Sequence, residues 1–342
     1  MGSTCFMNTI LQTFLHNPFL KAHFLSDKHS SRKCQKEAST CMACQLDKLF
    51  SQFYATDTTP FTPHAFLYAM WMSQKHLAGY SQQDAHEFFI SILDEIHNNC
   101  SGTLDSSNCK CVVHKVFGGI LQSDVTCLQC NNVTFSYDPI LDLSLEIKSS
   151  AKQTKKKKPD GDEAEYTLSE FTVPEKLGSN QYHCKSCGSF EEAIKQLSMK
   201  TLPPVLSIQF KRFEHSLATS NKIDTKVKIP SQLDMTPHTT RAVKMRSMMN
   251  KSKSSRTPNK QNYDSVSDGV PSYQYNLFAV VCHEGKLDTG HYKAFCKIND
   301  IWFEFDDHNV SIVDHAQFSS YVPNEYGDPI PIQVKTEDVV ME

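Results

Sequence analysis

Residues 291–310 read HYKAFCKINDIWFEFDDHNV, and they set how the rest of the chain is read. Tyr292, Ala294, Cys296 and Ile298 alternate with His291, Lys293, Phe295 and Lys297, the period of two that marks a strand. IWFEF follows across Asn299–Asp300, a pair that favours a two-residue hairpin turn. His291 opens the first strand directly after Gly290, and Asp306 closes the second. Paired strands lie about 4.8 Å apart, so this acid can orient the imidazole through its far nitrogen. A histidine and an orienting acid lack only a nucleophile.

Working outward, the β-rich texture begins near residue 111. VVHKVFGGIL, NVTFSYDPILDLSLEI, VLSIQFKRF and YQYNLFAVVC with His283 are short runs bounded by polar, Gly or Pro residues. The front is helical. CFMNTILQTFLH (5–16) sets Met7, Ile10, Leu11 and Phe14 on one face, with Ser3 or Thr4 as cap. QDAHEFFISILDEIHN (83–98) repeats the pattern at Phe88, Phe89, Ile92, Leu93 and Ile96, and Ser81 with Asp84 reads as a capping box. Residues 149–164, with KKKK followed by acids, and 236–272, rich in Ser, Lys and Asn, read as disordered. Residues 323–342 show no clear pattern and read as a flexible tail. The expected class is α+β.

With 342 residues, 39% of them apolar, the chain can bury a sizeable core. Its formal net charge of -3 provides no global field toward nucleic acid or an anionic membrane, so direct sequence-specific nucleic-acid binding is not expected. No run of about 18 apolar residues marks a membrane span. No basic segment followed by an apolar run marks secretion, so the nucleus or cytoplasm is expected. Thiols stay reduced there, and the 13 cysteines point to metal or catalysis rather than disulfides.

Cys127-x2-Cys130 and Cys184-x2-Cys187 supply four thiolates for tetrahedral zinc. The long interval 131–183 costs little, because loop closure grows only logarithmically with length. A second set is Cys109, Cys111 and His114, with His97 as the fourth ligand and Cys100 as the runner-up. A third is His29, Cys34, Cys41 and Cys44, with His23 competing with His29. All three read as closed structural Zn2+ sites. Cys282 and Cys296 fall in strand patterns and read as small buried residues. Cys5 is left without a partner. It lies at a helix start, where the dipole and unpaired amides favour a thiolate, and Gly2 permits a tight turn before it. Alone, such a cysteine is more often structural than reactive. Cys5, His291 and Asp306 together form a thiol–imidazole–carboxylate set.

GSTCFMNTILQ, GYSQQDAHEFF, LSIQFKRFE, GHYKAF and WFEFDDHNV resemble, in order, the successive boxes of the ubiquitin-specific proteases. The boxes span residues 2–310. The resemblance implies a papain-like cysteine protease fold. One catalytic domain would cover 1–322, with a helical thumb over 1–108, zinc-bearing fingers over 109–200 and a β-sheet palm over 201–322. It implies Cys5 as nucleophile, His291 as general base and Asp306 as orienting acid, with Asp307 as alternate. It also implies that Asp84 and Glu87 grip the ubiquitin tail, whose arginines pair with carboxylates. Helix capping is a second role for Asp84.

HLAGYSQQDAHEF, GGILQSDVTCLQC, DPILDLSLEI and KIPSQLDMTP resemble the branch that deubiquitinates histone H2B in the SAGA co-activator. That likeness implies ubiquitinated H2B on nucleosomes as substrate and small adaptor subunits as partners. The family pattern has an oxyanion-donating asparagine upstream of the cysteine, at a position that would precede Met1 here. The branch also has a separate zinc-finger ubiquitin-binding domain in front. The alternative expected on these grounds is an inactive or weakly active zinc-ordered scaffold that binds ubiquitin or adaptors.

Overall fold

The computed structural model describes residues 4–29, 31–32, 34–55, 61–79, 82–100, 109–147, 163–164, 168–215, 220–223, 226–227, 229–252, 271–286, 289–315 and 329–335. The front is helical: α1 (Cys5–Leu15), α2 (Pro18–Leu25), α3 (Met42–Phe53), α4 (His64–Ser73), α5 (Ala85–Asn99) and α6 (Val112–Phe117). α1 runs between α5 and a large sheet, so it is apolar nearly all round, burying Phe6, Met7, Ile10, Leu11, Phe14 and Leu15. Phe6 meets Phe88 of α5 edge-on, with ring centroids 5.4 Å apart. Asp84 alone caps α5, its Oδ1 accepting from the amides of His86 (2.6 Å) and Glu87 (3.2 Å). The expected partner Ser81 lies outside the described residues. Thr4 occupies the cap of α1 without a side-chain bond, and Gly2 and Ser3 lie outside the described residues.

Two sheets follow. The smaller has the order β2 (Val133–Ile140), β1 (Gly119–Cys127), β8 (Ala193–Thr201), β5 (Glu175–Leu177), antiparallel throughout. The larger has the order β17 (Asn309–Val313), β16 (Ile301–Asp306), β15 (Thr289–Ile298), β14 (Gln274–Lys286), β18 (Pro329–Lys335), β9 (Val205–Lys211), β3 (Leu143–Glu146), with β13 (Gln232–Asp234) also on β14. Three short pairs are β4 (Glu163–Ala164) with β12 (Lys226–Val227), β6 (His183–Cys184) with β7 (Ser189–Phe190), and β10 (Phe213–His215) with β11 (Ser220–Lys222). Ala279, Val281, Ala294, Cys296 and Phe305 join the helical core around α1. Leu277, Val280, Phe295 and Trp302 form a cluster on the other face. No helix among the described residues is long and apolar enough to cross a membrane.

Three segments differ from the sequence reading. VVHKVF is helical, not extended. Cys111 stands at its N-cap, and its sulfur lies 3.5 Å from the His114 amide, so one helical turn brings Cys111 and His114 together. Residues 236–252, expected to be disordered, form a 3₁₀ turn and then α7 (Thr240–Ser252). Thr239 Oγ1 accepts from the Ala242 amide, and Ala242 and Val243 are buried. So small an apolar contact leaves no signal in composition. Residues 253–270 lie outside the described residues. The expected tail contains β18, an inner strand that pairs β14 and β9. Its two prolines argue against that place, yet the strand covers the edges that β14 and β9 would otherwise present. The expected 149–164 excursion lies outside the described residues apart from β4. The helical front also runs past 108, through α6.

Candidate active site

The hairpin forms as its sequence directs. Asn299 (φ 49°) and Asp300 (φ 66°) both take the left-handed conformation that a tight primed turn needs, and Ile298 pairs with Ile301. Asp306 then lies near the open end of β15. His291 Nε2 and Asp306 Oδ1 are 2.6 Å apart. An ionised carboxylate only accepts, so the imidazole donates from Nε2, and Nδ1 of the neutral ring is left as a base. Partial burial pushes the Asp306 carboxyl up. The His291 hydrogen bond and the Lys293 ammonium outweigh that and hold it below the usual carboxylate range.

Cys5 comes to this hairpin from the other end of the chain. α1 packs on β15. The Cys5 thiol is within hydrogen-bonding reach of the backbone of Tyr292, the residue after His291. Burial pushes the thiol up. Hydrogen bonding from the Tyr292 and Phe6 backbone pulls it down, and the Asp307 carboxylate adds to the rise. The net shift is upward, and Cys5 is only 5% exposed. This corrects the expectation that the helix start makes a resting thiolate: desolvation outweighs the dipole. Cys5 therefore favours the protonated thiol, and its reaction needs a base to take that proton.

Several neighbours fix this geometry. Asn8 Nδ2, one turn beyond Cys5, donates to Asp307 Oδ1 at 2.8 Å, so Asp307 ties α1 to the hairpin while Asp306 holds His291. The Gln82 side chain grips the Gly290 backbone, accepting from its amide at 2.5 Å and donating to its carbonyl. A Cβ on Gly290 would meet the His283 ring and, at 2.7 Å, the Glu284 carbonyl oxygen, so close approach requires glycine there. The Tyr292 hydroxyl lies 3.4 Å from the Ala85 amide, and burial followed by the Asp84 carboxylate pushes its phenol up. Asp84 therefore stands beside Tyr292 at the α5 start. Glu87 is exposed and lies 3.4 Å from His76. Asn8, Gln82 and Lys293 were not singled out from the sequence. Helical spacing from Cys5 marks Asn8, and the hairpin register marks Lys293; no local signal marks Gln82.

The three predicted ligand sets also assemble. His29, Cys34, Cys41 and Cys44 converge at the start of α3; His97, Cys109, Cys111 and His114 between α5 and α6; Cys127, Cys130, Cys184 and Cys187 at the tip of the small sheet. Within each set the donor atoms lie within 4.8 Å of one another. His97, not Cys100, completes the second set, and His29, not His23, the third. In the Cys127/Cys130/Cys184/Cys187 set each Cys-x2-Cys is a knuckle followed by a left-handed residue, Asn131 (φ 56°) or Gly188 (φ 73°), whose amide returns to the first cysteine's carbonyl, whereas Cys41-x2-Cys44 opens α3. Metal–ligand bonds of ~2.3 Å to sulfur and ~2.0–2.1 Å to nitrogen imply tetrahedral edges of about 3.8 Å (S···S) and 3.5 Å (S···N). The sulfur pairs stand at 3.6–3.9 Å. Sulfur–nitrogen pairs include 3.1 Å for His29–Cys44, 3.4 Å for His97–Cys111 and 3.2 Å for Cys111–His114. Donor chemistry and spacing both fit tetrahedral zinc.

A family profile described as ubiquitin carboxyl-terminal hydrolase matches residues 1–335. The chain belongs to the ubiquitin carboxyl-terminal hydrolase family. Ubiquitin C-terminal hydrolase 22 of Arabidopsis thaliana is 38% identical over 90% of this chain and 58% of its own length. Ubiquitin carboxyl-terminal hydrolase 22 of Homo sapiens is 38% identical over 95% of this chain and 63% of its own length. The chain thus spans about three fifths of these relatives. The solved SAGA Ubp8/Sgf11/Sus1/Sgf73 DUB module bound to ubiquitin aldehyde aligns with a TM-score of 0.76 at 33% identity, covering 98% of this chain and 68% of that one. The module bound to monoubiquitin gives 0.76 and 34%, covering 98% and 67%. The helical front, cysteine-tipped small sheet and large sheet are the ubiquitin-specific-protease fold.

Proposed function

We propose that this chain is a thiol-dependent ubiquitinyl hydrolase that cleaves the isopeptide bond at the C-terminal glycine of ubiquitin. The observation that carries the reading is the 2.6 Å His291–Asp306 pair on the hairpin, with Cys5 at the start of α1 set against the backbone of Tyr292, the residue after His291. His291 Nδ1 takes the Cys5 proton as the sulfur attacks the glycine carbonyl. The Cys5 and Phe6 amides at the start of α1, ahead of the first Thr4-accepted bonds from Met7 and Asn8, supply donors for the oxyanion. Collapse breaks the carbon–nitrogen bond, and the imidazolium returns its proton to the departing lysine amine. Water then hydrolyses the thioester, releasing ubiquitin and restoring the thiol. Asp306 keeps the imidazole in the tautomer that leaves Nδ1 free. Asp84 and Glu87, at the start of α5, pair with the arginines of the ubiquitin tail.

Zinc, when bound to the three sets, supplies folding energy to loops and to the finger tip and takes no part in the reaction. The relatives and the Ubp8 module support a finer reading. The substrate is monoubiquitinated histone H2B on nucleosomes, the setting is the nucleus, and adaptor subunits like those of that module hold the chain in its active arrangement. Ubiquitin carrying a C-terminal electrophile tests the chemistry. The expected result is one adduct mapped to Cys5 and lost in Cys5→Ala. Binding without an adduct, even with adaptors added, overturns the enzyme reading and favours the scaffold.

A further inference from the structure

We infer that Lys293 is a positioning residue for the reaction, the cation that keeps Asp306 ionised and turned toward His291. This rests on the Cys5–His291–Asp306 reading above. Lys293 flanks the His–Asp pair on the far side of the Asp306 carboxylate, two residues beyond His291 on β15. Its Nζ stands 3.3 Å from Asp306 Oδ2, 3.4 Å from Glu304 Oε1 and 3.7 Å from Glu284 Oε1. The two Asp306 oxygens are therefore divided: Oδ1 faces His291 and Oδ2 faces Lys293. A carboxylate held at both oxygens cannot rotate away from the imidazole without losing a charged partner.

The alternation of the strands puts these groups on one face. Glu284 comes from β14, His291 and Lys293 from β15, and Glu304 and Asp306 from β16. Asp307, next to Asp306, is turned to Asn8 of α1. Lys293 is only 20% exposed, and the three carboxylates are 24–32% exposed. At that depth charges are less screened than on an open surface. Among the described residues Lys293 thus faces three carboxylates, and a second cation, the buried Arg212, acts with Lys293, Glu284 and Glu304 on the neighbouring Cys282 thiol. Without Lys293, Glu284 and Glu304 would disfavour the charge on Asp306, which would take up a proton more readily and donate to His291 less usefully. The surplus of negative charge also explains why a lysine occupies a half-buried strand position that an apolar residue could fill.

The test uses the full chain with adaptor subunits present and a fluorogenic ubiquitin C-terminal amide, with kcat and KM followed from about pH 5 to 9. Removing a cation favours the protonated form of every group it faces, so in Lys293→Met the acid limb of kcat/KM moves up by about half to one pH unit. At pH 6 kcat falls by up to about 3–10-fold while KM for ubiquitin holds. Lys293→Arg keeps the charge and restores the wild-type limb. In the Glu284→Gln/Glu304→Gln background the Lys293→Met shift shrinks, because the surplus charge is gone. An unmoved acid limb in Lys293→Met, with wild-type turnover intact, overturns the role of Lys293 and leaves the catalytic reading standing. A rate loss of the same size at every pH that Arg does not rescue also overturns it, since packing alone would do that. Absence of wild-type turnover is instead a failure of the catalytic reading.

Discussion

Asp306→Asn separates the two acids of the "DD" pair. The variant keeps an oxygen to accept from His291 Nε2 but removes the charge behind the 2.6 Å bond. A hydrogen bond to a charged group contributes about 1.5–3 kcal/mol, roughly double a neutral one. Asp306 is about one third exposed, which places the loss in the lower half of that range. At about 1.4 kcal/mol per factor of ten, kcat should fall some 10–40-fold. KM should hold, because Asp306 contacts His291 and Lys293 and not the acids Asp84 and Glu87 proposed to meet the ubiquitin tail. Losing the anion makes the imidazole harder to protonate, so the acid limb moves down, opposite to Lys293→Met. Asp307→Asn is the control. Its φ of 51° is one that Asn tolerates, and an amide oxygen can still accept from Asn8 Nδ2, so only a few-fold loss follows. Steady-state hydrolysis of a ubiquitin C-terminal amide decides. Near-wild-type kcat in Asp306→Asn together with collapse in Asp307→Asn would refute the assignment.

Gly290→Ala should lower kcat about 100-fold and cost about 1–3 kcal/mol of stability. Its Cβ meets the Glu284 carbonyl at 2.7 Å, and the strand start that carries His291 must shift; thermal unfolding and turnover measured together check both. Alkylation of Cys5 by iodoacetamide in the free chain should rise with pH through an inflection above that of an ordinary thiol, because burial pushes this thiol up. Stopped-flow or mass-spectrometric rates report it, and a reactive thiolate at pH 6 would contradict it. Elemental analysis should find about three zinc ions per chain. Cys184→Ser should remove one of them and lower Tm, since Cys184 is a buried member of the Cys127/Cys130/Cys184/Cys187 set.

What the sequence made legible was chemistry with strict local rules. The Asn299–Asp300 pair fixes the hairpin because few residues accept two consecutive left-handed conformations, and the hairpin fixes the His291–Asp306 approach. Cysteine and histidine spacing disclosed all three ligand sets, since zinc tolerates few donors and one geometry. What failed depended on contacts from elsewhere. β18 carries prolines that argue against an inner strand, and only the paired edges of β14 and β9 account for it. α7 is held by Thr239 and two buried side chains. The thiol of Cys5 was read from its helix end, whereas its surroundings in the core decide its protonation. Gln82 and Gly290 meet across more than half the chain, and no local pattern announces such a contact.

The central claim is that Cys5 forms a covalent bond with ubiquitin during turnover. The direct measurement is an acid-quenched, intact-mass experiment on the full chain reacting with a ubiquitin C-terminal amide, with adaptor subunits present. The account predicts a transient species heavier by one ubiquitin less water, mapped to Cys5, released by hydroxylamine as a thioester is, and absent in Cys5→Ala. Hydrolysis that proceeds without that species and survives Cys5→Ala would contradict it.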